Sequence, residues 1–228
     1  MKISLEFSKH ADEYESYDII QKQVVKKLLA DVDTKPKYIL DLGCGSGSLC
    51  RAIEWKYKHF VGVDFAPGML ELHPKSKKIE AIYGDFNDRT LFDNLSTYKF
   101  EHIFSASALQ WAENLESVFA NISTLNIPFS FAIFTSGTFE TLNATASLKA
   151  LLRSSEEIKH LQERYFDAKF EVLKYTLEFE SAREMFQYIK RSGVSGSRNL
   201  LTYKQTKKLM QEYPLNYLEF EVAFISSH

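Results

Sequence analysis

The run Ile39-Leu40-Asp41-Leu42-Gly43-Cys44-Gly45-Ser46-Gly47 is the sharpest chemical signal in the sequence. Three glycines at alternate positions let a backbone turn tightly and lie close against a ligand. Apolar residues before them predict a strand, and the stretch after them predicts a helix. The loop therefore sits where a βα unit presents a nucleotide, and three chemistries compete for it. A phosphate-gripping P-loop needs Gly-Lys followed by Ser or Thr, and none follows. The dinucleotide fingerprint G-x-G-x-x-G fails by one position: Gly47 comes early, and Ser48 stands where the third glycine belongs. Asp41 is the second discriminator. A carboxylate two residues ahead of the loop repels a pyrophosphate at a helix N-terminus. It favours a ligand with positive charge, and S-adenosylmethionine carries a sulfonium and an ammonium but no phosphate.

Two more acids fall where an adenosyl group needs acceptors. Val63-Asp64 ends a second apolar run, 21 positions after Gly43, where a carboxylate can accept from both ribose hydroxyls. That feature alone fits NAD as well. Asp85 follows a third short run and suits the adenine amino group, although a turn or helix cap also explains an acid there. Phe65, Met69 and Phe86 offer faces for the ring, with core packing as the plain alternative. The cofactor set expected from the residues is Asp41, Gly43, Gly45, Gly47, Asp64, Phe65, Met69, Asp85 and Phe86, with S-adenosylmethionine as the cofactor.

The elements that must hold these residues alternate between short apolar runs and amphipathic stretches, the pattern of an α/β fold. Residues 17–30 read as a helix with Ile19, Ile20, Val24, Val25, Leu28 and Leu29 in one stripe. Strands are expected at 38–42, 59–63, 81–83, 100–105 and 129–135. A helix begins at Leu49 and runs to Lys56. Residues 140–163 read as one helical insertion before a sixth strand at 168–179. Ser181-Ala182-Arg183-Glu184 is a capping box that starts a helix ending near Gly193. Another helix spans 202–212, and a last strand spans 217–225. The expectation is a Rossmann-like, doubly wound seven-stranded sheet, mostly parallel with an antiparallel last strand. An N-terminal helical lid within residues 1–34 and the helical insertion, 140–165, complete one domain over 1–228.

Composition narrows the partners. The chain has 228 residues and a formal net charge of −2, so nothing overall invites nucleic acid or an anionic membrane. Local basic clusters exist at Lys22, Lys26 and Lys27, at Lys75, Lys77 and Lys78, and at Lys204, Lys207 and Lys208, each ordinary as a solvated face. Cys44 and Cys50 lack the further ligands of a metal set, so no metal is expected and a reduced compartment suits them. The first residues contain no apolar leader, and no run reaches the ~18 apolar residues of a membrane span. A cytoplasmic monomer is the expectation.

Taken as a set, D-x-G-x-G-x-G with an acid after strand two and another after strand three resembles the class I methyltransferases over about residues 36–135. Further segments resemble a narrower family. Phe7-Ser8-Lys9-His10-Ala11-Asp12-Glu13-Tyr14 is similar to the F-x-x-x-A-x-x-Y opening of several small-molecule methyltransferases. Ser105-Ala106-Ser107-Ala108-Leu109-Gln110-Trp111 is similar to the S-x-x-x-L-Q-W segment of the malonyl-[acyl-carrier protein] carboxyl methyltransferases of biotin synthesis. Ser136 to Phe139 with Leu142, and Thr202 to Leu209, resemble that family too.

The resemblance implies methyl transfer to the free carboxylate of a malonyl thioester on acyl carrier protein, or on coenzyme A. It places Lys9, Tyr14, Ser105 and Gln110 at the cofactor, with Tyr14 on a lid over it, and Gln110 with Trp111 along the acceptor channel. A basic residue of the insertion would hold the acceptor carboxylate. Lys149, Arg153, Lys159 and Arg164 are available, and Arg153 is favoured for the forked geometry of its guanidinium. A methyltransferase for another small carboxylic acid, and a non-catalytic cofactor-binding or carrier-docking module, are the competing readings.

Overall fold

The computed structural model describes residues 18–191 and 203–227. The expected N-terminal lid therefore lies outside the described residues, apart from its last helix. That helix, α1 (Ile19–Ala30), buries Ile20, Gln21, Val24, Val25 and Leu28. Beyond it, β1 (Tyr38–Leu42) leads through the glycine loop into α2 (Ser48–Ala52), and β2 (His59–Asp64) leads into α3 (Pro67–Leu72). β3 (Ile79–Tyr83), α4 (Arg89–Leu95), β4 (His102–Ala106), α5 (Leu115–Thr124) and β5 (Phe129–Phe134) continue the alternation. A short 3-10 turn, Leu109–Trp111, follows β4.

The seven strands form one sheet in the order β3-β2-β1-β4-β5-β7-β6. β1 lies parallel between β2 and β4, with Asp41 beside Gly62 on one side and Phe104 on the other. Reversal of the strand order at β1 and β4 opens a crevice beyond their carboxyl ends, which is where such sheets bind ligands. β6 (Lys169–Glu178) and β7 (Tyr217–Ser226) close the sheet. β7 is antiparallel to both neighbours and is inserted between β5 and β6. The expected terminal strand pair is thus present, with the later strand on the inside.

Side chains alternate across each strand and feed two cores. Leu40, Leu42, Val61, Val63 and Ile103 pack with Phe119 and Phe131 on one face. Ile39, Phe60, Phe104 and Phe134 pack with Ile20, Val24 and Leu28 of α1 on the other.

The insertion is helical, as expected, and consists of two helices, α6 (Glu140–Thr145) and α7 (Ser155–Glu163). Ser147 stands in the left-handed region (φ 53°) and turns the chain after α6. The hydroxyl of Ser154 accepts from the Glu157 amide at 3.1 Å and starts α7. This second helix start is a Ser-x-x-Glu pattern inside the stretch read as helical. Two further helices are α8 (Ala182–Arg191) and α9 (Tyr203–Glu212). At α8, Ser181 Oγ accepts from the Glu184 amide at 3.2 Å, as the capping box requires. The Glu184 carboxylate accepts in turn from the Glu180 amide at 3.3 Å. The ending expected near Gly193 lies outside the described residues.

Strand limits moved by one or two residues. β3 starts at Ile79, and β4 runs from His102 to Ala106. α2 ends at Ala52, short of Lys56, because Ile53 is already extended.

Candidate functional site

The glycine loop is fixed by its own backbone before any ligand is considered. The amides of Gly43 and Cys44 both donate to the carbonyl of Val63, at 2.8 and 3.0 Å. All three glycines have positive φ, and they differ in what surrounds them. A Cβ on Gly43 would lie 2.1 Å from Cβ of Ala108, so this glycine lets the β1 loop pack on the loop after β4. A Cβ on Gly45 would meet nothing within 4 Å. Gly45 thus leaves open space beside the backbone, whereas Gly43 serves contact between the two loops.

Asp64 is 8% exposed at the end of β2. Its carboxylate accepts from the Gly45 amide at 2.9 Å and from the Ala66 amide at 2.8 Å. Burial raises its pKa, the amide bonds of Ala66, Gly45 and Phe65 oppose that rise, and Asp85 adds to it. The expected ribose acceptor is therefore also the clamp that joins the β1 and β2 loops. Lone pairs remain on each oxygen for a further donor.

Asp41 is different. It is 1% exposed, and neither carboxylate oxygen has a hydrogen-bond partner. Burial, with Asp64 nearby, pushes its carboxyl up to about 8. A site of this kind is completed by a donor or a cation.

One cavity unites these groups. Asp41, Gly43, Gly45, Asp64, Phe65, Met69 and Phe86 line it, with Trp111 from the 3-10 turn. Apolar faces and two carboxylates, one of them without any partner, thus meet in a single crevice, which suits a ligand that carries both an aromatic ring and positive charge. The residues present fit S-adenosylmethionine on that ground: Phe65, Met69 and Phe86 for the ring, Asp64 for hydroxyl donors, Asp41 for the charged end.

Other expected residues sit apart from the cavity lining. Gly47 is not among the lining residues; its positive φ and a virtual Cβ 2.5 Å from Pro74 give it a turn and packing role. Asp85 Oδ1 accepts from the Asn87 amide at 2.9 Å and from its side-chain amide at 2.8 Å, a turn motif. α4 is capped by Asp88, whose carboxylate accepts from the Thr90 amide. Ser105 is fully buried and donates to the Leu42 carbonyl at 2.7 Å, tying β4 to β1. Gln110 donates to the Ser107 carbonyl at 2.6 Å and braces the turn that carries Trp111.

Arg153 was expected at an acceptor carboxylate. Its guanidinium donates to the Ala112 carbonyl at 2.9 Å and the Glu113 carbonyl at 3.3 Å, and pairs with Glu157 at 3.5 Å. It joins the insertion to the segment after Trp111 and is not among the cavity-lining residues. Arg164 pairs with Glu116 at 2.7 Å, and Lys159 with Glu163 at 3.9 Å. Lys9 and Tyr14 lie outside the described residues.

Gln21, Ser46, Ser48, Leu49 and Ser107 line the cavity without having been expected there. Gln21 had a visible signal: a polar side chain inside the buried face of α1. Ser107 had none, because its exposure to the cavity depends on a left-handed backbone (φ 64°) that its residue type does not announce.

Comparison with known proteins agrees with this geometry. A family profile described as a methyltransferase domain matches residues 39–128, the span from β1 to the start of β5. The malonyl-[acyl-carrier protein] O-methyltransferase of Halorhodospira halophila is 25% identical over 92% of this chain and 78% of its own length. The protein of that name from Brevibacillus brevis is 25% identical over 99% of this chain and 96% of its own length. Among solved structures, phosphoethanolamine N-methyltransferase 2 of Haemonchus contortus, in complex with S-adenosyl-L-methionine, shares the fold. Its TM-score is 0.56 at 15% identity, over 96% of this chain and 56% of that one. Among the described residues, no helix is long and apolar enough to cross a membrane.

Proposed function

We propose that this chain, a methyltransferase similar to the class I S-adenosylmethionine-dependent enzymes, methylates the free carboxylate of a malonyl thioester on acyl carrier protein, an early step of biotin synthesis. The observation that carries the acceptor is likeness along nearly the whole chain to relatives bearing that name. The segment Ser105 to Trp111, which resembles theirs, also forms one wall of the cavity through Ala106, Ser107, Ala108 and Trp111.

When bound, the cofactor supplies an electrophilic methyl group on a sulfonium. The chain's own residues have the simpler tasks of binding, orienting and excluding water. A carboxylate nucleophile is ionised at neutral pH, so no strong general base is needed. In-line placement can supply roughly 7–11 kcal/mol of such a barrier. Trp111 and the 3-10 turn shape the acceptor side, and Gln110 holds that turn in place. Arg153 enters this reading as a positioning residue, since its guanidinium fixes Ala112 and Glu113 beside Trp111. Lys9 and Tyr14 enter it at the cofactor, with Tyr14 on the lid.

Isotope transfer from labelled cofactor tests the acceptor. Label is expected on malonyl-carrier and, for comparison, is to be sought on malonyl-coenzyme A, while acetyl-carrier, which has no free carboxylate, is expected to receive none. Equal labelling of acetyl-carrier would sink the carboxyl methyltransferase reading. Tyr14→Phe is expected to fold like the parent and to lose turnover in the same assay. Full activity would remove the hydroxyl from the reaction.

A further inference from the structure

The interface between α1 and the sheet contains polar atoms that the fold leaves without partners. Ile39 lies in the core shared with α1, whereas Leu40 and Leu42 lie in the opposite one. By strand alternation Asp41 therefore points toward α1. On α1, Gln21 belongs to the buried face with Val24 and Val25. Gln21 is 6% exposed, and its Oε1 has no hydrogen-bond partner. Both oxygens of Asp41 are in the same condition. Gln21, Val25 and Asp41 all line the one cavity.

Unpartnered buried acceptors are uncommon in native folds and point to a missing donor. Gln21 and Asp41 do not satisfy one another, since both Asp41 oxygens and the Gln21 amide oxygen are left without a partner. The donor that suits both carries several protons and a positive charge. The cofactor has one such group, the ammonium of its amino-acid end. Its arrival also offsets the burial that raises the Asp41 carboxyl.

We propose that Gln21 joins Asp41 at the charged end of the cofactor, its amide oxygen accepting one proton of this α-ammonium. Gln21 is then the residue by which α1 reads the amino-acid end of the cofactor. Val25, one turn further along the helix, supplies the apolar floor beside it. The inference rests on the cofactor and is independent of the acceptor.

The test is calorimetric binding to the full chain. The two ligands are S-adenosylhomocysteine and its analogue with hydrogen in place of the α-amino group. Gln21→Leu is expected to weaken S-adenosylhomocysteine by roughly 10–100-fold, the loss of one hydrogen bond to a charged group, while changing the deaminated analogue by less than about threefold. An equal loss for both ligands, or no loss for S-adenosylhomocysteine, overturns the proposal; a water held by Gln21 would give the second result. Gln21→Glu keeps an acceptor in place and is expected to preserve or increase the parent's preference for the amino-bearing ligand. A fall in that preference overturns the proposal even where Gln21→Leu fails to fold. No acceptor substrate is used, so failure here and failure of the malonyl reading are separate results.

Discussion

At the scale of single residues, Asp41 sets the chemistry of the site. Its carboxyl is pushed up to about 8, first by burial and then by Asp64. The folded chain thus binds this proton more tightly than the unfolded chain does. The associated stability is present in full below the ordinary carboxylate range and is lost as pH rises toward about 8. Asp41→Asn, which has no charge to bury, is expected to resist urea better than the parent near pH 8. That advantage should shrink as pH falls toward about 4. A difference that stays constant with pH would mean that the Asp41 proton is not linked to folding. Asp64 clamps the two loops and, on the reading proposed above, also accepts from the cofactor, so its loss should show both. Asp64→Ala is expected to weaken cofactor binding by about 1.5–3 kcal/mol and to lower the thermal midpoint, since the Gly45 and Ala66 amides lose their acceptor. Of the chain's two tryptophans, Trp111 lines the cavity and Trp55 donates to the Pro36 carbonyl away from it. S-adenosylhomocysteine should therefore change the fluorescence of the parent and leave that of Trp111→Phe nearly unchanged.

At the scale of elements, the two site loops depend on each other. Gly43 has both a left-handed backbone (φ 77°) and a contact that admits no side chain, whereas Gly45 (φ 52°) faces open space. Gly43→Ala is expected to cost about 2–4 kcal/mol, combining backbone strain with overpacking against Ala108. Gly45→Ala should cost only the strain, about 1–2 kcal/mol. Equal urea midpoints for the two variants would refute the division of labour between these glycines. Much of this was legible in the sequence. The strand–loop–helix order, the acid ahead of the loop and the acid ending β2 all lie close together in the chain, and local chemistry specifies them. Contacts between distant segments were not legible. Ser105 was expected at the cofactor and instead bonds the carbonyl of Leu42, a pairing made when β4 docks beside β1. Arg153 was expected to face an acceptor, and the fold of the split insertion brings it to Ala112 and Glu113 instead. The division of 140–163 into two helices was visible only in Ser154 and Glu157, a start signal hidden in a polar run.

At the scale of the whole molecule, one half of the sheet carries the site and the other half closes the core. β1, β2 and β4 bring the cavity residues to a common edge, and α1 covers them from the same face as Asp41. β5, β7 and β6 take no part in the cavity lining. They supply Phe131, Phe134, Phe220 and Phe224 to the two cores. The position of β7 also orders events during synthesis. Within the sheet β6 pairs with β7 alone along its whole length, and β7 follows every other strand of the sheet in the chain. Until it arrives, β5 presents a bare edge of six buried residues, Phe129–Phe134, and β6 has no template. The nascent protein is thus expected to pass through a sticky, half-closed stage however well its cofactor loop has formed. Ala223 pairs with Ile133 on one side and Val172 on the other, so Ala223→Pro would interrupt two ladders at once. That variant should move from the soluble to the insoluble fraction on expression. In pulse-labelled refolding of the parent, the amides of β6 should gain protection after those of β1 and β2. Demand for chaperones is then expected to follow β7, far in sequence from the glycine loop.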